Sequence, residues 1–251
     1  MIRNERQGQP TADDRDEKRV AFFGGSFDPP HLGHLEVARA ARAAFRLDSV
    51  LFAPVGSQPL KPEGAMASFD DRVEMTKLAI RGEPGFTLSL ADAPNASGKP
   101  NFTLETLMGL RRGLGASSTL YCLMGADSFL GLRQWHRAAE IPFVAPLIVA
   151  SRPGEPPGEL IDGLQAALPD GLRLESRRSW TESGVEVEEF VVVNSATGQH
   201  APFFVMPGLD IEISASAIRE QIHTAQGGET ESPQSVPEAV AGYIRSHGLY
   251  R

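Results

Sequence analysis

Two histidines three residues apart, His31 and His34, follow a glycine pair in the stretch Gly24-Gly25-Ser26-Phe27-Asp28-Pro29-Pro30-His31-Leu32-Gly33-His34. At the opening of a helix, imidazoles at this spacing leave one face together, beside unpaired N–H groups and the positive end of the helix dipole. The glycines let the main chain approach a ligand and turn further N–H groups toward an anion. Such donors converging on one point suit the handling of phosphate, with Gly24, Gly25, Ser26, Phe27 and Gly33 as the cradle. A second stretch, Ile213-Ser214-Ala215-Ser216-Ala217-Ile218-Arg219, opens a helix on small hydroxyl residues and carries an arginine about a turn later. Ser214, Ser216 and the planar fork of Arg219 would form a second phosphate clamp. Each piece also has a plainer reading. A Gly-Gly turn is commonly structural, a His pair can belong to a metal site, and Ser214 with Arg219 can be a routine cap and a solvated charge. No third metal ligand lies near the histidines in sequence, and the combination is rarer than its parts.

The elements that must position these residues follow from local patterns. Arg19 to Gly25 is an apolar run closing on glycines, as expected of a buried strand entering a tight turn. Leu32 to Phe45 is Ala-rich and helical, and Ser49 to Val55 is a second buried strand, so the histidine loop sits in a β-loop-α-β unit. Ser68 is expected to cap a helix reaching Ile80, and Thr103 to cap another from Leu104 to Leu114, closed by Gly115. Thr119 to Met124, Pro146 to Ala150 and Phe203 to Met206 read as core strands; Ser214 to Ile222 and Val236 to Ser246 read as helices. Between Arg152 and His200 the pattern weakens, leaving a short helix near Leu160 to Ala167 and an alternating segment, Val185 to Val193, read as an elaboration of the sheet. Strands alternating with helices predict an α/β, doubly wound, mostly parallel sheet with helices on both faces. In such a sheet the histidine loop lies outside the carboxyl ends of the strands, where ligands collect.

With 251 residues the chain has room for one substantial domain. The polar residues 1–18 read as a disordered tail and 19–251 as a single domain. A formal charge of −8 argues against a broad nucleic-acid surface but leaves anionic small molecules open, since these need only local donors. No run approaches the roughly 20 apolar residues of a membrane helix. A lone cysteine, Cys122, permits no internal disulfide and no thiolate metal cluster, which suits a reducing cytoplasm.

The two motifs resemble the His-x-Gly-His and Ile-Ser-x-Thr-x-x-Arg-type signatures of a nucleotidyltransferase superfamily. Within it the chain resembles the bacterial nicotinate mononucleotide adenylyltransferases. Supporting stretches are Gln58-Pro59-Leu60-Lys61, Asn101-Phe102-Thr103-Leu104-Glu105-Thr106-Leu107, Gly125-Ala126-Asp127-Ser128-Phe129 with Trp135, and the closing segment from Val236-Pro237 to Gly248-Leu249-Tyr250. The likeness spans Val20 to Tyr250 apart from the 152–200 elaboration. Three positions depart from the usual pattern: Leu60 stands where a histidine is usual, Phe102 where a tyrosine is common, and Ala215 where a serine is common.

The resemblance implies a Rossmann-like fold and attack by the acceptor's phosphate on the α-phosphorus of ATP, with Mg2+ bridging the ATP phosphates. His31, His34 and Arg219 become the catalytic group. It also implies that Asp127 contacts a ribose or orients the loop, and that Lys61 and Arg152 meet phosphate. Phe102, Thr103 and Trp135 then serve the nicotinate mononucleotide: a flat face at Trp135 for the pyridine ring, and N–H groups near Thr103 for its carboxylate. The rivals are another acceptor, nicotinamide mononucleotide or phosphopantetheine, and a nucleotide-binding regulator without turnover. The assembly is left open, a homo-oligomer being compatible with the sequence.

Overall fold

In a computed structural model the described residues are 17–57, 64–151, 157–209, 213–224 and 234–251. The chain runs β1 (Lys18–Gly25), α1 (Leu32–Phe45), β2 (Ser49–Pro54), α2 (Phe69–Ala79), β3 (Phe86–Leu88), α3 (Thr103–Leu114), β4 (Ser118–Gly125), α4 (Ala126–Leu130), α5 (Ile141–Val144), β5 (Leu147–Ala150), α6 (Pro157–Ala167), β6 (Leu172–Glu182), β7 (Val185–Asn194), β8 (His200–Met206), α7 (Ala215–Thr224) and α8 (Glu238–His247). Eight strands form one sheet in the order β3-β2-β1-β4-β5-β8-β7-β6. Neighbours are parallel from β3 to β8, and β7 and β6 join antiparallel.

Successive residues of β1 enter two different cores, as a strand covered on both faces requires. Ala21 and Phe23 pack with α1, α2 and α8 through Ala38, Ala41, Met75 and Val240. Val20 and Phe22 pack with α3 and α5 through Leu104, Leu107 and Ile141. From β1 the chain proceeds to β2 on one side, and β4 returns on the other. The strand order therefore reverses between β1 and β4, and a crevice opens at their carboxyl ends.

Local chemistry sets the ends of the elements. Ser68 caps α2, its Oγ accepting the Asp71 N–H at 3.1 Å. Three expectations are corrected. The strand β1 already includes Lys18, which the composition assigned to the tail. Thr103 does not cap α3: Phe102 is the N-cap, in extended conformation, and Thr103 is the first helical residue. The backbone there is held by neighbours instead, since Asn101 Nδ2 donates to the Ala93 carbonyl at 2.9 Å and the Phe102 ring packs in a tilted pair with His136, centroids 4.3 Å apart. Finally, 172–182 is an eleven-residue strand, β6, that local pattern did not show.

Candidate active site

A cleft of about 960 Å³ fills the crevice. Of the residues singled out by sequence, Gly24, Gly25, Ser26, Phe27, His31, Gly33, His34, Phe102, Thr103, Asp127, Trp135, Ser214, Ser216 and Arg219 all line it. Lys61 and Arg152 lie outside the described residues.

The floor is the turn from β1 into α1. At Gly24 an added Cβ would sit 2.7 Å from the buried Phe22 ring, which would have to shift to admit it. Phe27 has φ of 48°, a left-handed conformation that costs a bulky residue about 1 kcal/mol or more. Burial of its ring against Phe23, Phe52 and His34 offsets that cost. His31 is the N-cap of α1 and His34 its third residue, and their rings stack with centroids 3.7 Å apart. The Nδ1 of His34 accepts the backbone N–H of His31 at 3.2 Å. In the neutral ring the proton then sits on Nε2, which makes His34 a donor at that atom. Burial pushes the His31 ring down to about 4, and burial followed by the neighbouring His31 lowers His34 well below the ordinary histidine value. Both rings are therefore neutral at pH 7. The Nδ1 of His31 is buried without a hydrogen-bond partner.

Arg219 is held against the same loop. Its Nη1 donates to the Asp28 carbonyl at 2.7 Å and its Nη2 to Ser216 Oγ at 3.1 Å. Its Nε is buried and unpartnered. Ser214 caps α7, its Oγ accepting the Ala217 N–H at 3.1 Å. That cap is the plainer of its two sequence readings, and the arginine is not the solvated charge that the plainer reading supplied.

Elsewhere on the cleft wall the first N–H groups of α3, at Thr103 and its neighbours, have no side-chain cap. Trp135 is partly buried against the second core beside this helix start. Four residues lie here or beneath the loop without having been assigned a role. Asp92 is 4% exposed, accepts from Thr106 Oγ1 at 2.7 Å, and is raised in pKa by burial against the effect of that bond. His136 lines the cleft under Phe102. Asp28 and Arg72 are buried beneath the loop, Arg72 Nη1 donating to the Ser26 carbonyl at 2.7 Å. The motif containing Asp28 was visible in sequence; its partners, far away along the chain, were not. Cys122 is buried, with its thiol pushed up to about 12 by burial first and Asp92 second, which leaves it unreactive. Among the described residues no group of three His, Cys, Asp or Glu could hold a metal ion, and no helix is long and apolar enough to cross a membrane.

This arrangement has three parts that suit a nucleotide and a second anion: neutral imidazole donors on a helix N-terminus, a tethered guanidinium and an uncapped second helix start. The cytidylyltransferase-like family model matches residues 22–221, which span both motifs, and that is the class the fold and the cleft define. Among curated relatives, one from Stenotrophomonas maltophilia, described as a probable nicotinate-nucleotide adenylyltransferase, is 39% identical over 92% of this chain and 96% of its own length. One from Gloeobacter violaceus with the same description is 33% identical over 93% and 96%. The nicotinic acid mononucleotide adenylyltransferase of Plasmodium falciparum, solved in complex with NaAD, shares the fold at a TM-score of 0.63 and 14% identity, covering 93% of this chain and 97% of that one. The chain belongs to the nicotinate-nucleotide adenylyltransferase family.

Proposed function

We propose that this chain transfers the AMP part of ATP to nicotinate mononucleotide, giving nicotinate adenine dinucleotide and pyrophosphate, a step in making NAD. The observation that carries the reading is the stacked His31–His34 pair on the N-terminus of α1, with Arg219 tied to the same loop, in a chain whose relatives bear this activity in their names. An acceptor phosphate oxygen attacks the α-phosphorus of ATP. One P–O bond forms, the bond to the bridging oxygen breaks, and pyrophosphate leaves.

The attacking phosphate is already ionised at neutral pH, so no protein base or nucleophile is needed. What remains is to align two anions and to meet the charge that builds on the α-phosphate and the leaving group. The neutral rings of His31 and His34 each offer one N–H donor without a full charge, and Arg219 adds a charged fork. Gly24, Gly25, Ser26 and Gly33 allow close approach of the phosphates, and Asp127 takes the ribose end. Magnesium would enter with ATP as part of the substrate and would supply charge neutralisation at the phosphates.

For the acceptor, the open N–H groups at Thr103 receive the pyridine carboxylate and Trp135 covers the ring. A cytoplasmic setting, which supplies ATP, suits this chemistry. The test is pyrophosphate release from ATP and Mg2+ with nicotinate mononucleotide, nicotinamide mononucleotide and phosphopantetheine offered separately. Fast release with the first is expected. Preference for either of the others would move the acceptor. Nucleotide binding without release from any of them would overturn adenylyl transfer.

A further inference from the structure

The buried carboxylate of Asp28, 4% exposed, draws together four segments that are remote in sequence. Its Oδ2 accepts the Met66 N–H at 2.7 Å, and its Oδ1 accepts the Ala67 N–H at 3.1 Å and the Tyr250 hydroxyl at 2.7 Å. The Arg219 Nη1 stands 3.9 Å from Oδ2 and rests on the carbonyl of the same residue at 2.7 Å. A charge taken out of water needs such partners, and the loss of one changes how the group sits. Tyr250 is itself buried, 6% exposed, just beyond α8, with its hydroxyl 4.0 Å from Met75 Sδ. Burial first and the Asp28 charge second push its phenol far upward, so it stays a donor.

We propose that Tyr250 is a positioning residue of the adenylyl-transfer site, acting through Asp28 to hold Arg219 and the phosphate loop in working alignment. The inference rests on the reaction proposed above. Tyr250 touches no reacting atom. Its hydroxyl fixes the rotation of the Asp28 carboxylate, and the main chain of that residue is the surface on which the Arg219 guanidinium lies. Without the hydroxyl, the carboxylate keeps only the Met66 and Ala67 bonds, and the negative charge 3.9 Å from Arg219 Nη1 loses one of the three donors that fix it.

The experiment is a double-mutant cycle with Tyr250→Phe and Arg219→Lys, read both in steady-state kinetics and in the affinity for ATP with Mg2+ measured by calorimetry. Tyr250→Phe keeps the ring and its packing. It is expected to lower kcat about tenfold while leaving the KM for nicotinate mononucleotide within twofold, because the acceptor end of the cleft is untouched. In the Arg219→Lys background the same change should cost less than threefold, since the group it positions is already gone. A purely structural tyrosine would lower Tm and leave kcat within twofold, or would give losses that multiply across the cycle; either result overturns the proposal. If Tyr250→Phe does not fold, Asp28→Asn decides: retention of wild-type kcat overturns the proposal, and a loss above tenfold with unchanged acceptor KM supports it. Were wild type to release no pyrophosphate, the functional reading would fail. The affinity cycle would still decide, with non-additive losses in ATP binding supporting the positioning role and additive ones overturning it.

Discussion

Replacing His34 tests the chemistry most sharply, because the structure separates the two ring nitrogens by task. The Nδ1 accepts the His31 backbone N–H at 3.2 Å and so serves the helix start, while Nε2–H is the donor that the proposed transfer uses on phosphate. His34→Ala removes both, together with ring contacts to Phe27 and His31 at 5.0 and 3.7 Å. Loss of the ring contacts weakens folding by about 0.5–1.5 kcal/mol each. In a chain of this size each kcal/mol lowers Tm by roughly 2–4 °C, which leaves an assay at 25 °C unaffected. Loss of the phosphate donor is of another order, about 2.7–4 kcal/mol of transition-state stabilisation, or roughly a hundred- to thousandfold in kcat. His34→Asn isolates that part, since its Oδ1 takes the place of Nδ1 and restores the acceptor for His31, but nothing stands where Nε2 stood. We expect His34→Asn to be nearly as slow as His34→Ala, and His34→Gln, whose amide nitrogen reaches toward Nε2, to recover part of the loss. Pyrophosphate release with saturating substrates measures all three. A folded His34→Asn within threefold of wild type would refute the assignment of Nε2–H to the transferring phosphate.

Arg219→Lys should lower kcat strongly although the charge is kept, because one ammonium cannot satisfy the Asp28 carbonyl, Ser216 Oγ and a phosphate as the fork can; wild-type kcat and ATP KM in this variant would count against it. Trp135→Ala should raise the KM for nicotinate mononucleotide at least several-fold and that for ATP much less, as stacking is worth about 1 kcal/mol beyond area burial. Equal changes for both substrates would return Trp135 to a packing role. The His31 ring, held near 4 when folded against 6.5 when unfolded, makes stability fall with acidification across that window, because there the unfolded chain binds the extra proton. Melting curves of wild type and His31→Gln between those values should converge as pH falls, and parallel curves would contradict the burial argument.

The sequence is most legible where a local pattern and a global requirement coincide. In β1 and α1 the apolar run, the glycine pair and the Ala-rich helix state the β-loop-α unit almost to the residue, and α1 spans Leu32–Phe45 as the pattern predicts. The strand β6 was hidden because Arg173, Glu175, Arg178 and Glu182 break its apolar signal; its stability comes from pairing with β7, including an ion pair between Arg178 and Glu189. Thr103 misled because a hydroxyl before a helix looks like a cap, whereas Asn101 and the tilted Phe102–His136 ring pair set that backbone. In the cleft, residue types marked the two motifs that the fold brings to line it. The groups that orient them, Asp28, Arg72 and Tyr250, have partners dozens to hundreds of positions away, and no short-range pattern encodes such a contact.

That last distance bears on how the protein comes into being. The hydroxyl that meets Asp28 arrives 222 positions later in the chain, and the first N–H of α1, at Leu32, is met by the carbonyl of Ser235. At a synthesis rate of about 5–20 residues per second, roughly ten to forty-five seconds separate the emergence of the two ends of the Asp28 contact. During that interval β1, α1 and β2 can already pair and pack, yet the loop between them lacks the groups that finish it. The nascent chain can therefore lay down its framework well before the Asp28 contact closes, and a product that stopped before Tyr250 would contain every strand of the sheet yet lack the hydroxyl that meets Asp28.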